Sequence, residues 1–142
     1  MRPVFLYLFI FFSFAASAQN NSYSGTNGKA IKGYDPVAYF LENKAVPGDE
    51  RFSYNWSGST WLFSSQAHLD SFQLAPQKYA PQYGGYCAYG VSENHKSPTD
   101  PQAWTIIDNK LYLNYSLKVK GLWLKDTTTR IHQANLYWPS LN

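Results

Sequence analysis

The sequence predicts a small single-domain α+β fold, and three observations carry that prediction. Two stretches, Phe52 to Ser65 and Trp104 to Tyr115, alternate aromatic or aliphatic residues with polar ones around a two-residue turn. Around them lie segments with apolar residues at helical spacing behind a Ser or Asp. No repeat, linker or low-complexity segment interrupts residues 30–142.

The chain opens with a segment to be set apart from the fold. Arg2 is followed by an apolar run from Val4 to Phe14, then by the small-residue site Ala16-Ser17-Ala18. That is the form of a cleavable signal peptide over residues 1–18, and it implies a periplasmic or secreted protein. The run is shorter than the roughly 20 residues that cross a bilayer, and no other stretch comes near that length. Residues 19–29 are polar and glycine-containing and read as a disordered tether, with the domain occupying 30–142. The formal net charge is +3 and the basic residues are scattered, which argues against a nucleic-acid partner. Lys118, Lys120 and Lys125 are the densest set and read as a solvated helix face. One cysteine, Cys87, cannot form an internal disulfide, so the core must hold without a covalent staple.

Asp35-Pro36 places a capping Asp before a proline at the first helical position, and the helix carries Val37, Tyr39 and Phe40 to about Asn43. Pro47-Gly48-Asp49 turns the chain. The first hairpin places Gly58-Ser59 at its turn, with Trp56 opposite Trp61 and Tyr54 opposite Phe63, all on one face with Phe52. Ser64 or Ser65 caps a helix to about Leu74 with Leu69 and Phe72 inward. Pro76 opens a short turn through Tyr79, and Pro81 ends it. Ser92 to Asp100 is polar and reads as a surface loop. Asp100-Pro101 repeats the cap-and-proline device. In the second hairpin Asp108-Asn109 forms the turn, pairing Ile106 with Leu111 and Trp104 with Leu113. Ser116 caps a helix with Val119, Leu122 and Trp123 inward. Asp126 caps the last, with Ile131, Ala134 and Trp138 inward and Pro139 as its stop.

The stretch Tyr79 to Gly90 concentrates Tyr79, Tyr83, Tyr86 and Tyr89 around Gly84-Gly85 and Cys87. Cys87 is a soft-metal or redox thiol, or a small buried hydrophobe. Tyr79, Tyr83, Tyr86 and Tyr89 line a ligand pocket or a partner surface, or belong to the core. His68 has an imidazole able to ligate copper or zinc, or is a half-exposed helix residue. His95 and His132 read as solvated. No His-x-x-His, Cys-x-x-Cys or His-Glu-x-x-His spacing signals zinc, and no Gly-x-Ser-x-Gly signals a hydrolase. Asp35 and Asp100 are better explained as caps than as acids. Gly84-Gly85 lacks the lysine of a phosphate loop.

Three runs carry a family resemblance: Gly33-Tyr-Asp-Pro-Val-Ala-Tyr-Phe40, Trp61-Leu-Phe-Ser-Ser-Gln-Ala-His-Leu-Asp-Ser-Phe72 and Pro76-Gln-Lys-Tyr-Ala-Pro-Gln-Tyr-Gly-Gly-Tyr-Cys87. Together they resemble a YHS domain. With Asp100-Pro101, Trp104, Leu111-Tyr112-Leu113-Asn114 and Trp138-Pro139, the chain is similar to exported stand-alone YHS-domain proteins. The resemblance implies an α+β unit related to treble-clef metal-binding domains. In metal-handling relatives thiolates are the ligands; the matching positions here are Ala38, Ser64 and His68. A copper or zinc ion would therefore rest on Cys87 with His68. The expectation is a non-enzymatic module for a soft metal or small ligand, centred on Cys87. The alternatives are a thiol-dependent redox protein and an interaction domain with a structural cysteine.

Overall fold

Strand β3 (Asp49–Trp56) and strand β4 (Ser59–Phe63) form the hairpin on which the first sheet is built. The structure, a computed structural model, describes residues 23–142, so the expected signal peptide lies outside the described residues. The hairpin turns at Ser57-Gly58, with φ of 49° and 74°. Trp56 therefore faces Ser59, and Tyr54 faces Trp61. This corrects the expected turn and pairing. Positive φ at both turn positions gives the local twist that matches two right-twisted strands. The correction is two residues along the partner, and side chains alternate with period two, so each keeps its expected face. Trp61 and Phe63 are fully buried, and Phe72 packs 4.9 Å and 5.1 Å from their rings. Past Ser53 opposite Leu62 the register shifts to Asp49 opposite Phe63.

The expectation of a disordered tether is corrected for residues 23–29. Strand β1 (Gly25–Thr26) pairs antiparallel with β2 (Lys29–Ala30), and β2 lies parallel to β4, giving the order β1-β2-β4-β3. Tyr23 lies 4.8 Å from the Trp61 ring and 5.7 Å from Trp56. The Ser24 N–H donates to the Gly84 carbonyl at 2.7 Å, while its own carbonyl accepts from Ile31 N–H at 3.1 Å. Ser24 thus clasps two left-handed turns, Ile31-Lys32-Gly33 and Tyr83-Gly84-Gly85. A polar composition suggests solvation, but here the polar backbone satisfies an open sheet edge and one tyrosine anchors it.

Helix α1 (Ala38–Leu41) follows Asp35-Pro36, and α2 (Gln66–Leu74) is capped by Ser65, whose Oγ accepts the His68 N–H at 3.2 Å. Helix α3 (Pro76–Tyr79) and α4 (Ala88–Ser92) flank the Gly-Gly segment. The second sheet, β5 (Trp104–Ile107) with β6 (Lys110–Leu113), has the expected register and turn. No helix follows Asp100-Pro101: Asp100 Oδ1 accepts the Gln102 N–H in a tight turn, and the strand begins at Trp104. The segment read as a surface loop starts inside α4. Ser92 and Thr99 are buried, and Thr99 Oγ1 donates to the Gly85 carbonyl at 2.8 Å.

Helices α5 (Leu117–Trp123) and α6 (Thr127–Leu141) are capped by Ser116 and Asp126 as expected. Trp123 is buried with its ring 5.2 Å from Tyr112, but Leu122, expected inward, is exposed. Pro139 does not stop α6. The helix runs on to Leu141, although the proline has no N–H to give to the Asn135 carbonyl one turn back. Lys118 and Lys125 are exposed, while Lys120 lies over the Trp104 ring at 5.6 Å.

Two cores result. One joins Val37, Tyr39, Trp61, Phe63, Phe72, Leu111 and Leu113. The other joins Tyr83, Val91, Tyr112, Trp123 and Ala134, with Tyr86 and Trp138 against it. The chain is a small domain of mixed helix and sheet, and among the described residues no helix is long and apolar enough to cross a membrane.

Candidate functional site

Cys87 is 2% exposed and sits at the start of α4. Its Sγ accepts N–H groups from Tyr115 at 3.2 Å and Gly90 at 3.4 Å, and faces Asn114 Oδ1 at 3.6 Å. The thiol caps a helix and ties it to the end of β6. This is what a small, soft, weakly hydrogen-bonding side chain does well inside a protein.

His68 stands elsewhere. Its Nδ1 lies 2.6 Å from Asp35 Oδ2 and 3.3 Å from Ser64 Oγ. Its helix packs on the first hairpin and α3, whereas α4, led by Cys87, packs on α5 and α6. By its place before Pro36 alone, Asp35 is a plain helix cap. In the fold it is fully buried and accepts five hydrogen bonds. Oδ1 takes the N–H groups of Val37 (2.8 Å) and Ala38 (3.3 Å). Oδ2 takes the Ser64 N–H (2.9 Å), the Ser64 hydroxyl (2.7 Å) and His68 Nδ1. The position read as a metal ligand instead belongs to a carboxylate hub that joins α1, the end of β4 and α2.

A metal ion does not fit the donors present. Among the described residues no three His, Cys, Asp or Glu side chains gather in a way that would hold one. Cys87 is enclosed by backbone donors, and His68 shares none of its partners. Soft-ion sites need several converging donors, and a single thiolate with one distant imidazole does not supply them.

The tyrosines divide. Tyr79 is buried in the first core, edge-on to Phe40. Tyr89 lies under the Arg130 guanidinium, 4.1 Å from its ring, and its Oη accepts from Arg130 Nη2 at 3.2 Å. Arg130 also pairs with Glu93, so Tyr89 is held in a local structural network. Tyr83 and Tyr86 line a cleft of about 570 Å³ between the two cores. Tyr83 Oη donates to Asn135 Oδ1 at 2.9 Å, and burial pushes its phenol well above the usual tyrosine range. Tyr83 itself takes a left-handed backbone, φ 56°, ahead of Gly84 and Gly85. A Cβ on Gly84 would stand 3.3 Å from the Trp138 indole, so glycine lets that ring lie against the turn.

Trp138, Trp56 and Tyr23 complete the aromatic walls of the cleft, and Gln77, Gln82, Ser57 and Asn142 add amides and a hydroxyl. Lys96 stands at the rim with its Nζ 5.1 Å over Tyr86 and 5.7 Å over Trp138. Among the described residues no Asp or Glu side chain lines it. Sequence reasoning missed Tyr23, Trp56, Trp138 and Lys96 as site residues. Trp56 and Trp138 read as core, Tyr23 as tether, and Lys96 as loop. The surviving signal was the tyrosine and glycine cluster that marks one wall.

Fold and cleft define a small mixed domain with an aromatic-walled cleft and a separate, enclosed thiol. No protein-family model matches the chain, nor does any curated protein or solved structure.

Proposed function

We propose that the protein is an exported, YHS-like, non-enzymatic module that binds a small ligand in the cleft walled by Tyr83 and Tyr86. The observation that carries this is the cleft itself. Its volume lies within the roughly 300–1,000 Å³ of small-molecule sites, and it joins flat aromatic faces to a few amide, hydroxyl and ammonium groups. Cys87 serves the site from behind. By capping α4 and holding Tyr115 and Asn114, it fixes the backbone that carries Tyr86. Export rests on the small-residue site after the short apolar run at the start of the chain.

The test is a fragment screen by NMR, following the five indole N–H signals. Fragments that bind the cleft should shift Trp56 and Trp138, which line it, and leave Trp104 and Trp123, which do not. A library that shifts neither wall tryptophan, or all indoles alike, would defeat the reading. Intact mass of the exported protein should show Gln19 at the N-terminus; retention of Met1 to Ala18 would refute export by cleavage.

A further inference from the structure

We propose that the ligand of this cleft is an acidic oligosaccharide, a short run of sugar rings with a uronate carboxylate at Lys96. The inference rests on the cleft being a binding site, and it adds the ligand's chemistry and length.

Length comes from the way the surface continues. Tyr23, Tyr86 and Lys96 also line a second depression of about 370 Å³, whose other wall includes Ser24, Ser59 and Ser97. Trp56 and Ser57 also line a third, of about 350 Å³, with Asn55 and Thr60. Through these shared residues the three depressions adjoin, from the end of α6 past Tyr23 to the β3–β4 turn. A chain of linked rings occupies a groove more fully than one compact molecule does.

Chemistry comes from the lining. A sugar ring has an apolar C–H face and a rim of hydroxyls. Aromatic side chains offer flat apolar surfaces for the face. Serine hydroxyls and glutamine amides, which both donate and accept, suit the rim. Each depression joins the two kinds of group: Trp138 and Gln82 in the first, Tyr86 and Ser97 in the second, and Thr60 with Trp56, which also walls the first, in the third.

Charge comes from Lys96. Among the described residues no Asp or Glu lines any of the three depressions. The Lys96 ammonium has no carboxylate partner among the described residues and rests over two aromatic rings. Such a cation is free to turn to a ligand carboxylate. A single lysine matches one recognised carboxylate. A nucleic acid brings one charge per phosphate and needs a basic track, which this groove lacks.

The experiment titrates the protein with hyaluronan tetrasaccharide, which carries uronates, and with chitotetraose, N-acetylated, of equal ring number and uncharged. The readout is the indole shifts of Trp56 and Trp138. The acidic chain should bind about two- to fivefold more tightly at low salt, and the gap should narrow as salt screens the exposed Lys96. Lys96→Gln should bring the acidic chain to the affinity of the neutral one, and Lys96→Arg should keep the preference. Equal affinity in the unaltered protein, or a preference that survives Lys96→Gln, overturns the proposal. Fragments that shift the wall tryptophans while neither saccharide binds would overturn the saccharide assignment and leave the cleft a binding site. Silence from fragments and saccharides alike would remove both.

Discussion

Asp35 and Asp100 look alike in the sequence, each an Asp before a proline, yet replacing them should have very different effects. Asn has the shape of Asp but exchanges one acceptor oxygen for an NH₂ donor. At position 35 both oxygens are engaged by backbone N–H groups. If the new NH₂ takes the place of Oδ2, the Ser64 N–H loses its acceptor. If it takes the place of Oδ1, Val37 and Ala38 lose theirs. The Ser64 hydroxyl and His68 can re-orient; a backbone N–H cannot. One stranded buried donor costs about 1–3 kcal/mol, and hydrogen bonds to a charged group contribute about 1.5–3 kcal/mol each. Asp35→Asn should therefore cost about 3–5 kcal/mol. Asp100 sits half-buried at a turn, where its side chain holds one N–H and Asn is equally at home. Asp100→Asn should stay within about 0.5 kcal/mol. Urea unfolding followed by tryptophan fluorescence measures both. If Asp35→Asn is too unstable to fold, Ser64→Ala, which removes one hydroxyl donor to Oδ2, should still cost about 1–2 kcal/mol. An Asp35→Asn variant as stable as Asp100→Asn would refute the hub.

Three further outcomes follow from the packing. An alanine at Gly48 would place its Cβ 2.5 Å from Leu62 Cβ and 2.6 Å from the Leu62 carbonyl carbon, so the hairpin edge must shift. The expected loss is about 1–3 kcal/mol in the same unfolding assay, and an unchanged midpoint would contradict it. Burial holds the Tyr39 phenol far above its usual range, with nearby Tyr34, Asp100 and Asp35 adding to the effect. Above about pH 10 the unfolded chain therefore releases a proton that the folded one keeps, and stability falls as pH rises, by up to about 1.4 kcal/mol per pH unit. Tyr39→Phe should remove its share of that alkaline slope, leaving the part due to Tyr83 and the other raised tyrosines, while costing about 1 kcal/mol at neutral pH through the lost bond to the Pro101 carbonyl; an unaltered slope would refute the assignment. Cys87 should react with a disulfide reagent only on unfolding, since its sulfur is buried among backbone donors. Rapid stoichiometric labelling of the native protein would revive the redox alternative.

Much of the local structure was legible in the chain, for a physical reason. Caps act over three or four residues, so Ser65, Ser116 and Asp126 mark helix starts wherever those helices pack. Strand faces obey a two-residue period, so Trp56, Trp61 and Phe63 are found on the inner side even though the turn lies one position earlier than expected. The second hairpin was legible down to its register, because Asp108-Asn109 tolerates the backbone its turn requires.

Only the tertiary structure decided the rest, because contacts between distant residues leave no trace in spacing. Nothing about Asp35-Pro36 says that Ser64 and His68 will arrive with three more hydrogen bonds, or that Asp100-Pro101 will receive none of them. Nothing in a polar leader says that Ser24 will bond to Gly84 and Ile31. The cleft is assembled from Tyr23, Trp56, Lys96 and Trp138, far apart in the chain, with Tyr83 and Tyr86 from one turn. Their identities suit core, loop or tether equally well. It is the packing of two cores against each other, with the N-terminal strand drawn between them, that turns those side chains toward one space.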